Sequence, residues 1–167
     1  DFVRDHLNLA KQGFFTTGSR VLLSPDTTEN LIENKSTDVK KYSKNNRNFF
    51  NGLRIPILHN LLSKRYKTSG KYTYYVKGCN MAFWKKDLLK INGYNENFTG
   101  WGKEDSEIAI RLINTGIKKQ FLKFGGITYH LYHKEASREM EQVNFRMMQQ
   151  AVDKKIVRTL KGVDQYL

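Results

Sequence analysis

In the stretch Gly100-Trp101-Gly102-Lys103-Glu104-Asp105, two carboxylates stand side by side directly after a glycine-flanked tryptophan. An apolar 3.6-residue period begins just beyond them at Ile108, Ala109, Leu112 and Ile113. It ends at Asn114-Thr115-Gly116, with Gly116 in the place of a C′ glycine. The spacing predicts a loop running into a helix N-terminus, where unpaired backbone N–H groups and the helix dipole favour negative charge. A carboxylate there stays ionised and can take a proton from a hydroxyl whose oxygen is becoming bonded elsewhere. Adjacent residues at a helix start lie about 100° apart around the axis, so Glu104 and Asp105 point to different places and suit two roles. Helix capping is the plain alternative. Gly-Trp-Gly argues for more, because it costs backbone entropy and places a large aromatic in a loop, which capping does not require.

Other residues able to do chemistry are few. His130 and His133 in His130-Leu131-Tyr132-His133 could hold a metal, although two ligands fall short of the usual three or four and such pairs are more often surface residues. Cys79 is the only cysteine, which excludes an internal disulfide and a multi-cysteine metal site; it is expected to be a small buried core residue. Arg111 lies one helical turn after Glu107 and is expected to pair with it.

The elements that must position these residues follow from local patterns. Residues 2–10 read as a short helix stopped by Gly13, and residues 14–23 carry Phe, Thr and Val in strand-like proportion. Residues 26–70 are polar and basic and read as a variable insertion with two weak helices and a disordered part. Residues 72–76 alternate like a strand, a turn at Gly78-Cys79-Asn80 leads to a second apolar piece at 81–84, and residues 85–90 make a short helix stopped by Gly93. After the Glu104 helix come strand-like pieces at 120–124 and 127–130 about Gly125-Gly126. Residues 137–167 read as a C-terminal amphipathic helix, from the recurrence of Met140, Val143, Met147 and Ala151.

In that order, Gly78-Cys79-Asn80-Met81-Ala82, Ile91-Asn92-Gly93-Tyr94-Asn95-Glu96-Asn97-Phe98, Gly100-Trp101-Gly102-Lys103-Glu104-Asp105-Ser106-Glu107, Arg111-Leu112 and His130 form a set. It resembles the C-terminal half of inverting nucleotide-sugar glycosyltransferases, in particular bacterial family 2 enzymes with a galactosyltransferase-type C-terminal module. The ordered set spans residues 78–133 and is far more specific than Trp-Gly-x-Glu-Asp alone. The resemblance implies an α/β fold: the C-terminal, acceptor-side part of a GT-A nucleotide-diphospho-sugar transferase, with a mixed sheet and flanking helices. It implies Asp105 as the catalytic base, Glu104 as the residue that binds or orients sugar hydroxyls, and Gly78 and Asn80 beside the donor sugar. Trp101 would offer a flat face to a sugar ring, and Gly100 and Gly102 would let backbone approach the substrate. A divalent metal, Mn or Mg, would sit on the departing diphosphate, with His130 completing a site whose carboxylates lie upstream and His133 as the second candidate. In the family a segment like residues 2–6 follows an Asp-x-Asp motif, which this sequence lacks. Residues 1–167 are therefore expected to be one domain or a domain fragment without the donor-binding half, inactive alone and binding metal weakly or not at all.

Composition agrees with a packed globule and excludes some classes. The 167 residues include 13% aromatics, enough for a real core. No run approaches a membrane span of about 18 apolar residues, and the N-terminal residues lack the pattern of a signal peptide, so a cytoplasmic location is expected, with peripheral contact at the inner membrane face. The net charge is +13, and residues 35–90 carry most of it, with Lys40, Lys41, Lys44 and Arg47 as its densest run. Such a segment could meet nucleic acid, an anionic membrane surface or a phosphorylated substrate; the resemblance implies a nucleotide-sugar donor and a glycan or lipid-linked acceptor as partners. Against nucleic acid, there is no RNP-like strand, Gly-x-x-Gly clamp, zinc-finger spacing or basic recognition helix. A carbohydrate-binding module without catalysis is the other alternative.

Overall fold

The computed structural model describes residues 1–39 and 45–167. The helix expected from the apolar period forms as α5 (Glu104–Asn114) and supplies Ile108, Ala109 and Leu112 to the main core. Its residues 107–112 are all buried, with Ile108, Ala109, Ile110 and Leu112 wholly out of solvent. Burying one Ile or Leu completely contributes roughly 1.5–3 kcal/mol, so this short helix is a principal anchor of the core. Gly116, at φ +87°, ends it as expected.

Burial on two sides comes from two partners, α6 (Glu141–Asp153) and β4 (Lys118–Leu122). β4 runs parallel to β1 (Phe14–Gly18), and β3 (Met81–Ala82) pairs antiparallel on the other side of β1, giving the order β3-β1-β4. The fold is thus mixed α/β, with a mixed sheet and flanking helices. A second, two-stranded parallel ladder joins β2 (Val21–Leu22) to β5 (Tyr129–His130). Phe15 and Val76 meet Ile91, Ile108, Ala109, Leu112 and Ile117 in the main core, and Phe83 stacks on Phe15 at its margin.

The expected N-terminal helix is α1 (Phe2–Leu9). Asp5, on its buried face, receives two hydrogen bonds from the Arg54 guanidinium (2.9 and 2.6 Å) and one from the Gly126 N–H (3.0 Å). The Arg54 hydrogen bond outweighs burial and brings its carboxyl down to about 2. The segment 26–70 contains two helices as read, α2 (Pro25–Glu33) and α3 (Ile57–Ser63), with a 3₁₀ turn at Phe49–Gly52. Ser24 caps α2 by accepting the Thr27 N–H (3.1 Å). Lys40, Lys41 and Lys44 lie outside the described residues. Helix α4 (Lys85–Lys90) forms where expected. Among the described residues no helix is long and apolar enough to cross a membrane.

Three local expectations fail. Residues 72–76 are not a strand but a 3₁₀ turn (Gly70–Tyr72) and a following bend, because the buried Lys119 ammonium takes the carbonyls of Tyr72 and Tyr75 (3.0 Å to the latter). Helix α6 is shorter than residues 137–167. It stops at Asp153, and the chain folds back under the 91–93 turn, where the Asn92 side chain donates to the Thr159 carbonyl (3.1 Å) and to Asp164 (2.9 Å). Cys79 is exposed, not buried, since it lies in the exposed Gly78-Cys79 turn that precedes β3.

Candidate active site

The N-terminus of α5 and the Gly78-Cys79-Asn80 turn meet at Asp105. One carboxylate oxygen accepts the Gly78 N–H at 2.7 Å, and the other faces the Tyr94 hydroxyl at 3.4 Å. The contact leaves no room for a side chain at position 78, where a Cβ would stand 2.3 Å from Asp105 Oδ1. Glycine is required there by packing, whatever its backbone angles. Burial, together with the neighbouring charge of Asp105, pushes the Tyr94 phenol far above its ordinary value, so it stays protonated and donates. A carboxylate offers about four lone-pair sites, and two are taken here, leaving capacity for an incoming hydroxyl. Glu104 is partly exposed in the same first turn.

The loop before α5 has left-handed backbone at three of four residues: Gly100 (+66°), Gly102 (+102°) and Lys103 (+77°). Only the glycines adopt it without steric cost. Helix α6 holds this loop from behind. Its fully buried Asn144 donates to the carbonyls of Thr99 (2.9 Å) and Trp101 (3.2 Å), while Met140 packs against Gly100. Trp101 is 37% exposed, and the Arg138 guanidinium sits 4.5 Å from its ring centroid. Part of the indole surface therefore remains open to a ligand.

Trp101 borders a groove of about 590 Å³ shared with Arg20, Arg47, His130, His133 and Lys134. The groove brings the expected sugar surface and the expected metal histidines to one place. His130 and His133 have ring centroids 5.1 Å apart. Burial, then the charges of Arg20 and His133, lowers the pKa of His130, which favours the neutral imidazole able to ligate. Among the described residues no three of His, Cys, Asp and Glu come together, so the two imidazoles are at most part of a metal site. Arg20 links the groove to the turn, with its guanidinium 3.9 Å from Cys79 Sγ.

Asn80 lies apart from the exposed members of the expected set. It is wholly buried, its amide donates to the carbonyls of Ser19 and Gly126 (2.7 Å each), and its oxygen accepts from His6 Nε2 (2.9 Å). With its donors so committed, the His6 ring must carry its proton on Nε2. Asn80 has no free face for a sugar; it fixes the turn that carries Gly78. Arg111 does pair with Glu107, through two bonds of 2.7 and 2.9 Å, and also donates to the carbonyls of Ile91 (2.6 Å) and Gly93 (2.7 Å). That places Tyr94 one residue beyond a fixed carbonyl. Sequence reasoning gave Arg20 and Asn144 no role. Nothing local in the sequence marks either residue.

Residues 59–134 match the family described as the N-terminal domain of galactosyltransferase. Over 56 residues the chain is 38% identical to a chondroitin synthase of Escherichia coli, a match covering 34% of this chain and 8% of that protein. The chain thus spans a small part of the relative's length. Residues 59–134 contain the Gly78 turn, Trp101, Glu104, Asp105, His130 and His133, so the part of the chain that holds the candidate site is the part similar to galactosyltransferases.

Proposed function

We propose that the protein moves a sugar from a nucleotide-sugar donor to a hydroxyl of a glycan or lipid-linked acceptor, with inversion at the anomeric carbon. Asp105 takes the acceptor proton as the acceptor oxygen bonds to the anomeric carbon. The bond from that carbon to the diphosphate oxygen breaks, and its electron pair leaves on the diphosphate. The observation that carries this reading is the Asp105 carboxylate, fixed by the Gly78 N–H and the Tyr94 hydroxyl at the start of α5. Trp101 supplies a face for a sugar ring, Glu104 orients hydroxyls, and Arg20, Arg47 and Lys134 put positive charge in the adjoining groove. A divalent metal, Mn or Mg, held by His130 or His133 with carboxylates from beyond these residues would add charge for the diphosphate. The similarity to a chondroitin synthase supports transfer onto a growing polysaccharide.

The test is Asp105→Asn in the protein's full chain, which keeps size and hydrogen bonding but removes proton acceptance. Turnover of nucleotide-sugar should fall by about 10²–10⁴-fold while donor affinity changes little. Glu104→Gln should instead weaken substrate binding. Near-normal turnover in Asp105→Asn, with only a lower melting temperature, would reduce the carboxylate to a loop pin and helix cap.

A further inference from the structure

Beside the Gly78 turn lies a face that the transfer reaction does not use. The Lys67 ammonium sits 5.3, 5.5 and 4.9 Å from the ring centroids of Tyr66, Tyr72 and Tyr75. Lys77 shares the Tyr75 ring at 5.1 Å, and Lys123 shares the Tyr66 ring at 5.5 Å. Three ammonium groups are thus strung along tyrosine rings, ordered Lys77, Tyr75, Lys67, Tyr66, Lys123. Beneath them lies a fourth, the buried Lys119, which donates to the carbonyls of Tyr72 and Tyr75 and so sets the bend that presents both rings. Among the described residues none of these four lysines is in an ion pair with a carboxylate. Burial lowers the pKa of Lys77, and the charges of Arg20 and Lys67 lower it further, while the Asp105 charge raises it. Positive charge is therefore gathered here with no ion-paired carboxylate, and the face ends at Lys77, next in sequence to the Gly78 whose N–H holds the proposed base.

We propose that this face is a binding track for an acidic glycan, a carbohydrate chain bearing carboxylate, sulfate or phosphate groups, which it leads toward Asp105. Ammonium groups resting over rings hold fixed positions, and with the phenol hydroxyls they offer donors to anionic groups and sugar hydroxyls. Nucleic acid fits less well, since base stacking requires the ring faces that the lysines occupy. Only the direction of the track rests on the reading of Asp105 as base; the binding chemistry does not.

The experiment measures binding by the full chain, without donor, of size-matched oligosaccharides carrying carboxylates (an oligogalacturonate), sulfates or phosphates. A neutral dextran oligomer and a single-stranded oligonucleotide are run beside them, all at two salt concentrations. At least one acidic oligosaccharide should bind more tightly than dextran and than the oligonucleotide, weakening with salt; which one names the anionic group. Combined Lys67→Gln, Lys77→Gln and Lys123→Gln should lower that affinity by about ten- to a hundredfold, as expected for three partly exposed charge contacts. Lys77→Gln alone, the gentlest change, should show a smaller loss in the same direction. Equal binding of dextran, stronger binding of the oligonucleotide, or undiminished affinity in both lysine variants would overturn the inference. Asp105→Asn should retain acidic-glycan binding whatever it does to turnover, so failure of the track and failure of the catalytic reading are read separately.

Discussion

Arg111 has no contact with solvent and donates four hydrogen bonds, two to Glu107 and one each to the carbonyls of Ile91 and Gly93. Replacing it with methionine roughly preserves the apolar stem but leaves the Glu107 carboxylate, 2% exposed, without its counter-charge. Breaking a buried pair from one side costs about 3–5 kcal/mol, and the two orphaned carbonyls push toward the upper end. A domain of this size loses about 2–4 °C of Tm per kcal/mol, so Arg111→Met should melt roughly 6–20 °C below the parent. Urea unfolding should show a lower midpoint with an unchanged m-value. The companion variant Glu107→Leu with Arg111→Met removes both charges and should be more stable than Arg111→Met alone, because no ion is left buried unpaired. Activity supplies a second readout. Once the Gly93 carbonyl is released, Tyr94 loses its fixed approach to Asp105, and turnover should fall in both variants even where stability returns. Arg111→Met within about 1 kcal/mol of the parent would refute the reasoning; so would a double variant as unstable as the single, which would assign the loss to packing volume.

Gly78→Ala should lower turnover much more than stability, because the new methyl displaces the Asp105 carboxylate from a partly exposed site and not from the core; equal kcat in a well-folded variant would mean the carboxylate position is unimportant. Lys119 gives a pH prediction. Burial pushes its ammonium from 10.5 down to about 8, so between those values the unfolded chain holds more protons and stability rises with pH. Relative to Lys119→Met, which does not titrate there, the parent should gain up to about 3 kcal/mol from pH 7.5 to 10.5, measured by urea unfolding of both proteins. A gap between the two that does not change with pH would mean Lys119 keeps its ordinary affinity for protons.

The parts of the fold governed by short-range pattern were readable directly. The apolar period and Gly116 bounded α5, the spacing of four residues paired Glu107 with Arg111, and the ordered motifs pointed to the galactosyltransferase family that residues 59–134 match. What escaped was decided by partners distant in sequence. The alternation at 72–76 suggests a strand, but Lys119 claims two of its carbonyls and bends the segment. Asn80 stands beside Gly78 in the motif, yet His6, Ser19 and Gly126 surround it. Asn144 looks like an ordinary polar position of an amphipathic helix, and only the packing of α6 on α5 shows that it holds the Trp101 loop. A side chain's exposure cannot be read from its type alone, which is why Cys79 was misplaced.

The knot around Asn80 also bears on how the protein folds. Its three side-chain bonds join residues separated by 74, 61 and 46 positions in sequence. Closing such long loops is entropically costly before any contact rewards it, so these bonds belong to the late stages of chain assembly. Helix α5, by contrast, is local and can form early. If the Gly78 turn is the last to reach Asp105, catalytic competence should lag behind the appearance of helical signal in a refolding experiment.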